Sequence, residues 1–472
     1  MQQIEQIYIN GEFVAPHGDE WFDLHNPSTE QVIGRVRLGD EEDTRRAIAA
    51  AKAAFPAWSR TTKAERIAML SRMHQAVLAR EDDLMAAIVT EYGAPSVRSR
   101  WMATYPASVI EQAIAALDAF EFEEQAGAAQ VWMTPVGVAG LITPWNSDAG
   151  FICNKLATAL AAGCTAVIKP SEMSAMQTQI ITEALHQAGL PAGVFNIVNG
   201  RGDVVGAELT RNPDVAKISF TGSTVVGKHI VAAGADTMKR VTLELGGKSP
   251  TLLLDDADFP AAIEMILQAG FMNSGQACVA GTRILVPHHR LAEFEKVAVE
   301  AIAHIKSGDP READTDIGPM VSRKQWERVQ GYIRLGLEEG ATLLAGGPER
   351  PGGLTRGWFV KPTLFSHANN QMRIAREEIF GPVLTILPYR DEAEAIAIAN
   401  DTTYGLSAMV IGQDRQRCIA VARQIESGRV LINTLAHEPK APFGGFKQSG
   451  LGREMGKWGM SAYLEPKTVM IG

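Results

Sequence analysis

The spacing of apolar residues changes several times along this chain, and each change predicts a different element. Residues 7–13 alternate and turn at Asn10-Gly11, which predicts a hairpin. Residues 43–54 are alanine-rich with an acidic start, as at the head of a helix. Thr62 followed by Glu65 has the capping-box spacing that opens a second helix, running toward residue 80. A third helix is expected over 103–120. The polar, alternating stretch 120–133 closes at Pro135 and reads as two short strands that leave the main body. From residue 137 the pattern becomes continuous apolar runs, at 137–143, 165–169, 194–198, 217–220 and 241–245. Amphipathic stretches such as 174–188 separate them. Buried strands alternating with helices predict a parallel, doubly wound sheet. The alternation restarts at 251–255 and continues through 284–286, 383–387, 408–411 and 429–432, which predicts a second α/β lobe with its boundary near Gly246-Gly247. The Pro/Gly-rich segment 346–357 is expected as a loop inside that lobe.

Composition adds limits. With 472 residues, two or three lobes are expected rather than one core. Hydrophobic residues at 46% and charged residues at 21% are ordinary for a soluble protein. A net charge of −9 leaves no basic footprint for nucleic acid. Cys153, Cys164, Cys278 and Cys418 are widely spaced, with no metal-ligand pattern, which argues against a disulfide framework or a metal site and for a reducing compartment. The first residues lack the basic and apolar regions of a signal peptide. The alanine-rich stretch 157–166 is too short to span a bilayer. A cytoplasmic protein without membrane contact is expected.

Candidate chemistry centres on Cys278, in Asn273-Ser274-Gly275-Gln276-Ala277-Cys278. A lone cysteine is usually a small buried hydrophobe. As thiolate, however, it is a strong nucleophile. Upstream lies Glu244-Leu245-Gly246-Gly247-Lys248, whose carboxylate can activate the thiol, or a water that must later break a thioester. Phe220-Thr221-Gly222-Ser223-Thr224-Val225-Val226-Gly227 follows a strand and opens a helix, where backbone N–H groups can approach a phosphate or serve only the turn. Gly200-Arg201-Gly202-Asp203-Val204-Val205-Gly206 imitates a dinucleotide fingerprint, but its third glycine is one residue late, so a structural turn is expected. Lys169-Pro170-Ser171-Glu172 closes another strand, where Lys169 can donate to ribose hydroxyls and Glu172 can accept from a 2′-OH. Thr143-Pro144-Trp145-Asn146 offers a neutral amide suited to an oxyanion, or a turn asparagine bonded to its own backbone.

Together with Glu378-Ile379-Phe380-Gly381-Pro382 and Pro442-Phe443-Gly444-Gly445-Phe446-Lys447-Gln448-Ser449-Gly450, these motifs resemble the NAD(P)-dependent aldehyde dehydrogenases of hydrolytic type, in family order over almost the whole chain. The resemblance implies an α/β fold of two doubly wound lobes plus a small β oligomerisation element. Residues 1–118 and 136–246 would bind the cofactor, 247–455 would be catalytic, and 119–135 with 456–472 would form the oligomerisation strands of a homotetramer or homodimer. It implies Cys278 as nucleophile, Asn146 as oxyanion donor, Glu244 as base for the deacylating water and Lys155 as a supporting residue. It places Thr143, Trp145, Lys169, Ser171, Glu172, Gly222, Ser223, Gly227, Leu245, Glu378 and Phe380 at the cofactor. NAD is expected, with NADP used more weakly because Glu172 would repel a 2′-phosphate. A CoA-acylating relative, or a retired binding protein on the same fold, are the competing readings; Glu244 argues against the first, and intact Cys278, Glu244 and Asn146 against the second. The small-molecule aldehyde is not named by the sequence. Ser147-Asp148 stands where many relatives have Phe-Pro, and Asp148 is expected either to meet substrate or to be a solvated loop residue. The polar loop 435–440 would line the tunnel mouth.

Overall fold

Strands buried on both faces need helices on both sides, and the apolar runs after residue 137 meet that condition. In the computed structural model, which describes residues 2–471, they form Val138–Ile142, Thr165–Lys169, Phe195–Ile197, Val215–Thr221 and Arg240–Glu244, mutually parallel. Ile142 pairs with Lys169 and with Phe220, and Thr221 pairs with Glu244, so these ends share one edge. The chain steps outward from Val138–Ile142 in one direction and resumes on its other side at Val215–Thr221, which makes a topological switch point between these two strands. The hairpin Ile7–Ile9 and Glu12–Val14 extends the sheet. Its turn places Asn10 at φ 54° and Gly11 at φ 85°, the left-handed pair that a two-residue hairpin requires.

The second sheet has seven strands, in the order Thr342–Ala345, Thr363–Ser366, Val383–Tyr389, Arg283–Pro287, Pro250–Leu253, Ser407–Ile411 and Arg429–Ile432. All pairs but the first are parallel. Residues 346–357 connect the first two of these strands as a loop. The two strands that leave the main body are Glu123–Ala126 and Ala129–Pro135, and Leu464–Met470 joins them antiparallel along its whole length. One short strand crosses over: Gly450–Leu451 pairs with Arg240–Glu244 of the first sheet.

Helices Glu41–Trp58 and Lys63–Leu78 both open on capping boxes, Asp40 with Asp43 and Thr62 with Glu65. The first runs beyond residue 54, carrying Pro56 in its last turn. The third expected helix begins earlier, at Ser96, and ends at Asp118. Its first turns carry no apolar stripe because Arg98 and Trp101 face a cavity instead of a core. A three-stranded sheet of Gln2–Ile4, Val32–Arg37 and Trp21–His25 is not legible in the sequence, since only Leu24 of Trp21–His25 is buried and the apolar alternation is weak. The segment beginning Gly200 is not the simple turn expected: Gly202–Gly206 forms one π-helical turn that runs into helix Ala207–Arg211. A Cβ on Gly200 would stand 2.3 Å from a Val205 methyl, so the glycine serves the chain's own packing.

Candidate active site

The loop after helix Phe259–Phe271 holds three successive residues in left-handed backbone: Asn273 at φ 56°, Ser274 at φ 58° and Gly275 at φ 74°. Two of them are not glycine, a conformation costing roughly 1–2 kcal/mol each. Neighbours fix it. Asn273 Nδ2 donates to the Asn146 carbonyl at 3.2 Å and to the Gln276 carbonyl at 3.3 Å. Ser274 Oγ accepts from the Gly318 N–H at 2.9 Å, and Gln276 Oε1 from the Val321 N–H at 3.0 Å. A Cβ on Gly275 would sit 2.2 Å from the Gly381 carbonyl, so only glycine lets the two motifs touch. This loop presents Cys278, half-buried, to a cavity of ≈ 640 Å³.

Asn146 follows strand Val138–Ile142 and donates its Nδ2 to the Gln276 carbonyl at 3.0 Å, which holds the amide against the cysteine loop. Glu244 ends its own strand. The Gly-Gly that follows threads between two groups: a Cβ on Gly247 would lie 2.2 Å from the Cys278 carbonyl oxygen, and one on Gly246 would lie 2.7 Å from Glu378 Oε2. The Gly247 N–H donates to Glu378 Oε1 at 2.9 Å.

The electrostatics are those of dry groups facing a cavity. Burial, then Glu378 and Glu244, push the Cys278 thiol up to about 12, while Arg429 pulls the other way. Glu244 is buried, and among the described residues neither of its oxygens has a hydrogen-bond partner. Burial and the nearby Glu454 raise its proton affinity well above the carboxylate range, opposed by Lys155 and Arg453. Glu454 is a member of the site that sequence reasoning missed. It accepts from Lys155 Nζ at 2.5 Å, Asn154 Nδ2 at 3.2 Å and Ser219 Oγ at 3.2 Å, and it lines the cavity. Lys155 does not line it; it stands behind Glu454, fully buried.

The remaining sequence-selected residues gather along the sheet edge near the switch point. Lys169 and Glu172 form an ion pair at 3.0 Å. Ser223 caps helix Thr224–Gly234, its Oγ accepting from the Val226 N–H at 3.4 Å. A Cβ on Gly227 would meet the Leu245 side chain at 2.7 Å, which seats that helix against Leu245, and one on Gly222 would meet the Phe220 ring at 2.4 Å. Phe380, at φ 63°, packs edge-on to Trp145 with ring centres 5.4 Å apart. Two side chains turn inward: Thr143 Oγ1 donates to Asp148 at 2.6 Å, and Ser171 Oγ accepts from the Met173 N–H at 3.3 Å. Thr221 Oγ1 is buried at the cavity wall, without a partner among the described residues. The Lys169–Glu172 pair at the C-terminal edge of a parallel sheet, near the switch point and with the Ser223-capped helix start on the same edge, fits a dinucleotide. No group of three or more metal-ligating side chains occurs among the described residues.

Asp148 corrects the sequence expectation on both counts. It neither meets substrate nor lies in solvent. It is buried and accepts from Thr143 Oγ1 and from Thr178 Oγ1, at 2.8 Å, and burial pushes it up to about 7. Ser147 lines the cavity in its place. Part of the lining is a helical stripe of Arg98, Trp101, Tyr105, Ser108 and Gln112, three and four residues apart; that spacing was the available signal. Leu435, His437 and Pro439 of the loop 435–440 line the cavity as expected.

A profile of the aldehyde dehydrogenase family matches residues 13–469. A 3-succinoylsemialdehyde-pyridine dehydrogenase of a Pseudomonas species is 46% identical over 472 residues, covering 100% of this chain and 99% of the relative. A solved aldehyde dehydrogenase of Pseudomonas syringae, a cysteine-to-alanine mutant complexed with NAD+ and octanal, is 44% identical with a TM-score of 0.97, covering 99% of this chain and 96% of its own. One from Mycobacterium tuberculosis, complexed with NAD+, is 37% identical with a TM-score of 0.97, covering 100% and 99%.

Proposed function

The chain belongs to the aldehyde dehydrogenase family and is an NAD-dependent enzyme that oxidises an aldehyde; from that premise we propose that Cys278, Asn146 and Glu244 carry the reaction. The observation that carries this reading is that the half-buried thiol and a buried carboxyl, without hydrogen-bond partners among the described residues, line one cavity. The Cys278 sulfur adds to the aldehyde carbon, and the Asn146 amide with the Cys278 N–H stabilises the oxygen that becomes negative. Burial and the neighbouring carboxyls push the thiol up, which disfavours the thiolate at neutral pH, so the loaded site must favour deprotonation. NAD, when bound, supplies a positively charged ring that favours the thiolate and accepts the hydride. Glu244 then takes a proton from the water that attacks the thioester and releases the acid. Glu454, fixed by Lys155, sets the proton affinity of Glu244 from behind. Trp145, Lys169, Glu172, Ser223, Leu245, Glu378 and Phe380 would hold the cofactor. Thr143 and Ser171 would contribute backbone rather than side chain.

The division into a cofactor unit of 1–118 and 136–246, a catalytic unit of 247–455 and assembly strands of 119–135 and 456–472 is supported by the eight-stranded, the seven-stranded and the small assembly sheet, with Gly450–Leu451 as a stitch between the first two units. Exposed Trp132 and Met470 on the small sheet support its use between identical subunits, in a dimer or tetramer. No helix among the described residues is long and apolar enough to cross a membrane. Four free cysteines support a reducing, cytoplasmic compartment.

Rapid mixing of enzyme, NAD and aldehyde, following NADH, tests the assignment. Cys278→Ser should show neither burst nor turnover, a loss of roughly 10³-fold or more, while NAD binding persists. Glu244→Gln should give one burst and then stall. Near-normal turnover of the serine variant, or an unchanged steady state in Glu244→Gln, would remove that residue from its role.

A further inference from the structure

Two cations line the aldehyde cavity without a carboxylate to neutralise them. Arg429, on strand Arg429–Ile432, donates Nε to Ser407 Oγ at 3.2 Å, and among the described residues it makes no salt bridge. Arg98, at the start of helix Ser96–Asp118, lies over the Trp101 ring at 4.0 Å, and its buried Nε has no hydrogen-bond partner among the described residues. Burial lowers the proton affinity of both guanidinium groups, yet arginine stays charged at any working pH. The two carboxyls that also line the cavity are not paired with them. Glu454 is committed to Lys155, and Glu244 makes no hydrogen bond to either arginine among the described residues. His437, beside Arg429, is held neutral by burial and by that arginine's charge. A half-buried, unpaired cation is costly unless a ligand completes it, and the guanidinium fork matches a carboxylate in two parallel hydrogen bonds.

We propose that Arg429, oriented by Ser407, receives a carboxylate at the far end of the aldehyde substrate, with Arg98 adding positive potential from elsewhere on the cavity lining. The inference rests on the dehydrogenase reading above and deepens it by naming the substrate class: an aldehyde whose other end is an anionic carboxylate, rather than an alkanal. The chemistry at the thiol is unchanged. Arg429 and Cys278 line the same cavity of ≈ 640 Å³, so the two functional ends of the substrate are separated by a chain short enough to fit within it.

Steady-state kcat/KM for 5-oxopentanoate and for its methyl ester, which differ only in the charge of the far end, tests this. The wild type should favour the acid by roughly tenfold or more. Arg429→Met should abolish that preference, mainly through KM, while the ester loses less than about threefold. Arg429→Lys should keep part of it, and guards against a misfolded methionine variant. Equal loss on both substrates, with the thiol's pH limb moved upward, would make Arg429 an activator of Cys278 and overturn the proposal. So would a wild type indifferent to the charge, or loss of preference only in Arg98→Met. No turnover of either compound, of octanal or of benzaldehyde would instead overturn the dehydrogenase reading itself.

Discussion

At the residue scale the site is a set of groups taken out of water with their protonation left to their neighbours. Glu244 would be useless as a base if it stayed protonated, so what sets its proton affinity sets the working pH. Burial raises it, Glu454 raises it further, and Lys155 and Arg453 oppose. Glu454→Gln removes the negative neighbour and leaves the Lys155 cation facing Glu244. Both effects lower the Glu244 pKa, so the deprotonated form persists to lower pH. The acid limb of thioester hydrolysis should therefore shift downward by about one pH unit, equivalent to ~1.4 kcal/mol. Deacylation rates of the pre-formed acyl-enzyme across pH provide the measurement; a limb that stays or moves upward would refute the coupling. Glu454 also shows where sequence reading stops. Cys278, Glu244 and Asn146 stand out because glycines, a proline or a tryptophan flank them. Glu454 finds its partners Asn154 and Lys155 about 300 residues away, and no local pattern announces that. Asp148 failed for the same reason, since Thr178 reaches it from another helix.

At the element scale, strands were legible because full burial makes them continuous apolar runs, whereas boundaries set by a cavity were not. Helix Ser96–Asp118 starts early because its first turns answer to ligand space, with polar and aromatic residues where a core would demand aliphatic ones. The end of strand Thr165–Lys169 carries a further consequence. Lys169 and the short turn Glu172–Ser174 place an ammonium and a carboxylate side by side at the sheet edge. The carboxylate accepts from a ribose 2′-OH and repels a 2′-phosphate, and its ion pair with Lys169 softens that repulsion. kcat/KM should favour NAD over NADP by roughly tenfold, about 1.4 kcal/mol, and Glu172→Gln should narrow the ratio by raising the NADP value. Equal values in the wild type would mean that Glu172 does not face the ribose.

At the scale of the whole molecule, two α/β lobes were readable from the restart of the apolar alternation after Pro250, but the device that locks them together was not. The segment 442–450 enters the sequence reading only as a motif of the family resemblance, and its structural role is visible only when both sheets are present. Ser449 is fully buried between them. Its Oγ accepts from the Gly405 N–H at 2.9 Å and donates to the Gly246 carbonyl at 2.6 Å, while its own carbonyl accepts from the Leu245 N–H at 2.9 Å. Gly450–Leu451 then pairs with the strand that ends at Glu244. One hydroxyl thus joins Gly405 of the second lobe to the Gly246 carbonyl, two residues after the proposed base. Ser449→Ala keeps the strand pairing and strands two buried backbone groups, at about 1–3 kcal/mol each. The melting temperature should fall by a few degrees, and the deacylation rate should fall more than the NADH burst, because Glu244 loses its anchor while Cys278 keeps its own. Ser461→Ala, which removes only a hydroxyl bonded within its own exposed helix turn, should change neither quantity and serves as the reference. A Ser449→Ala enzyme that melts and deacylates like the wild type would show that backbone pairing alone holds the two lobes in register.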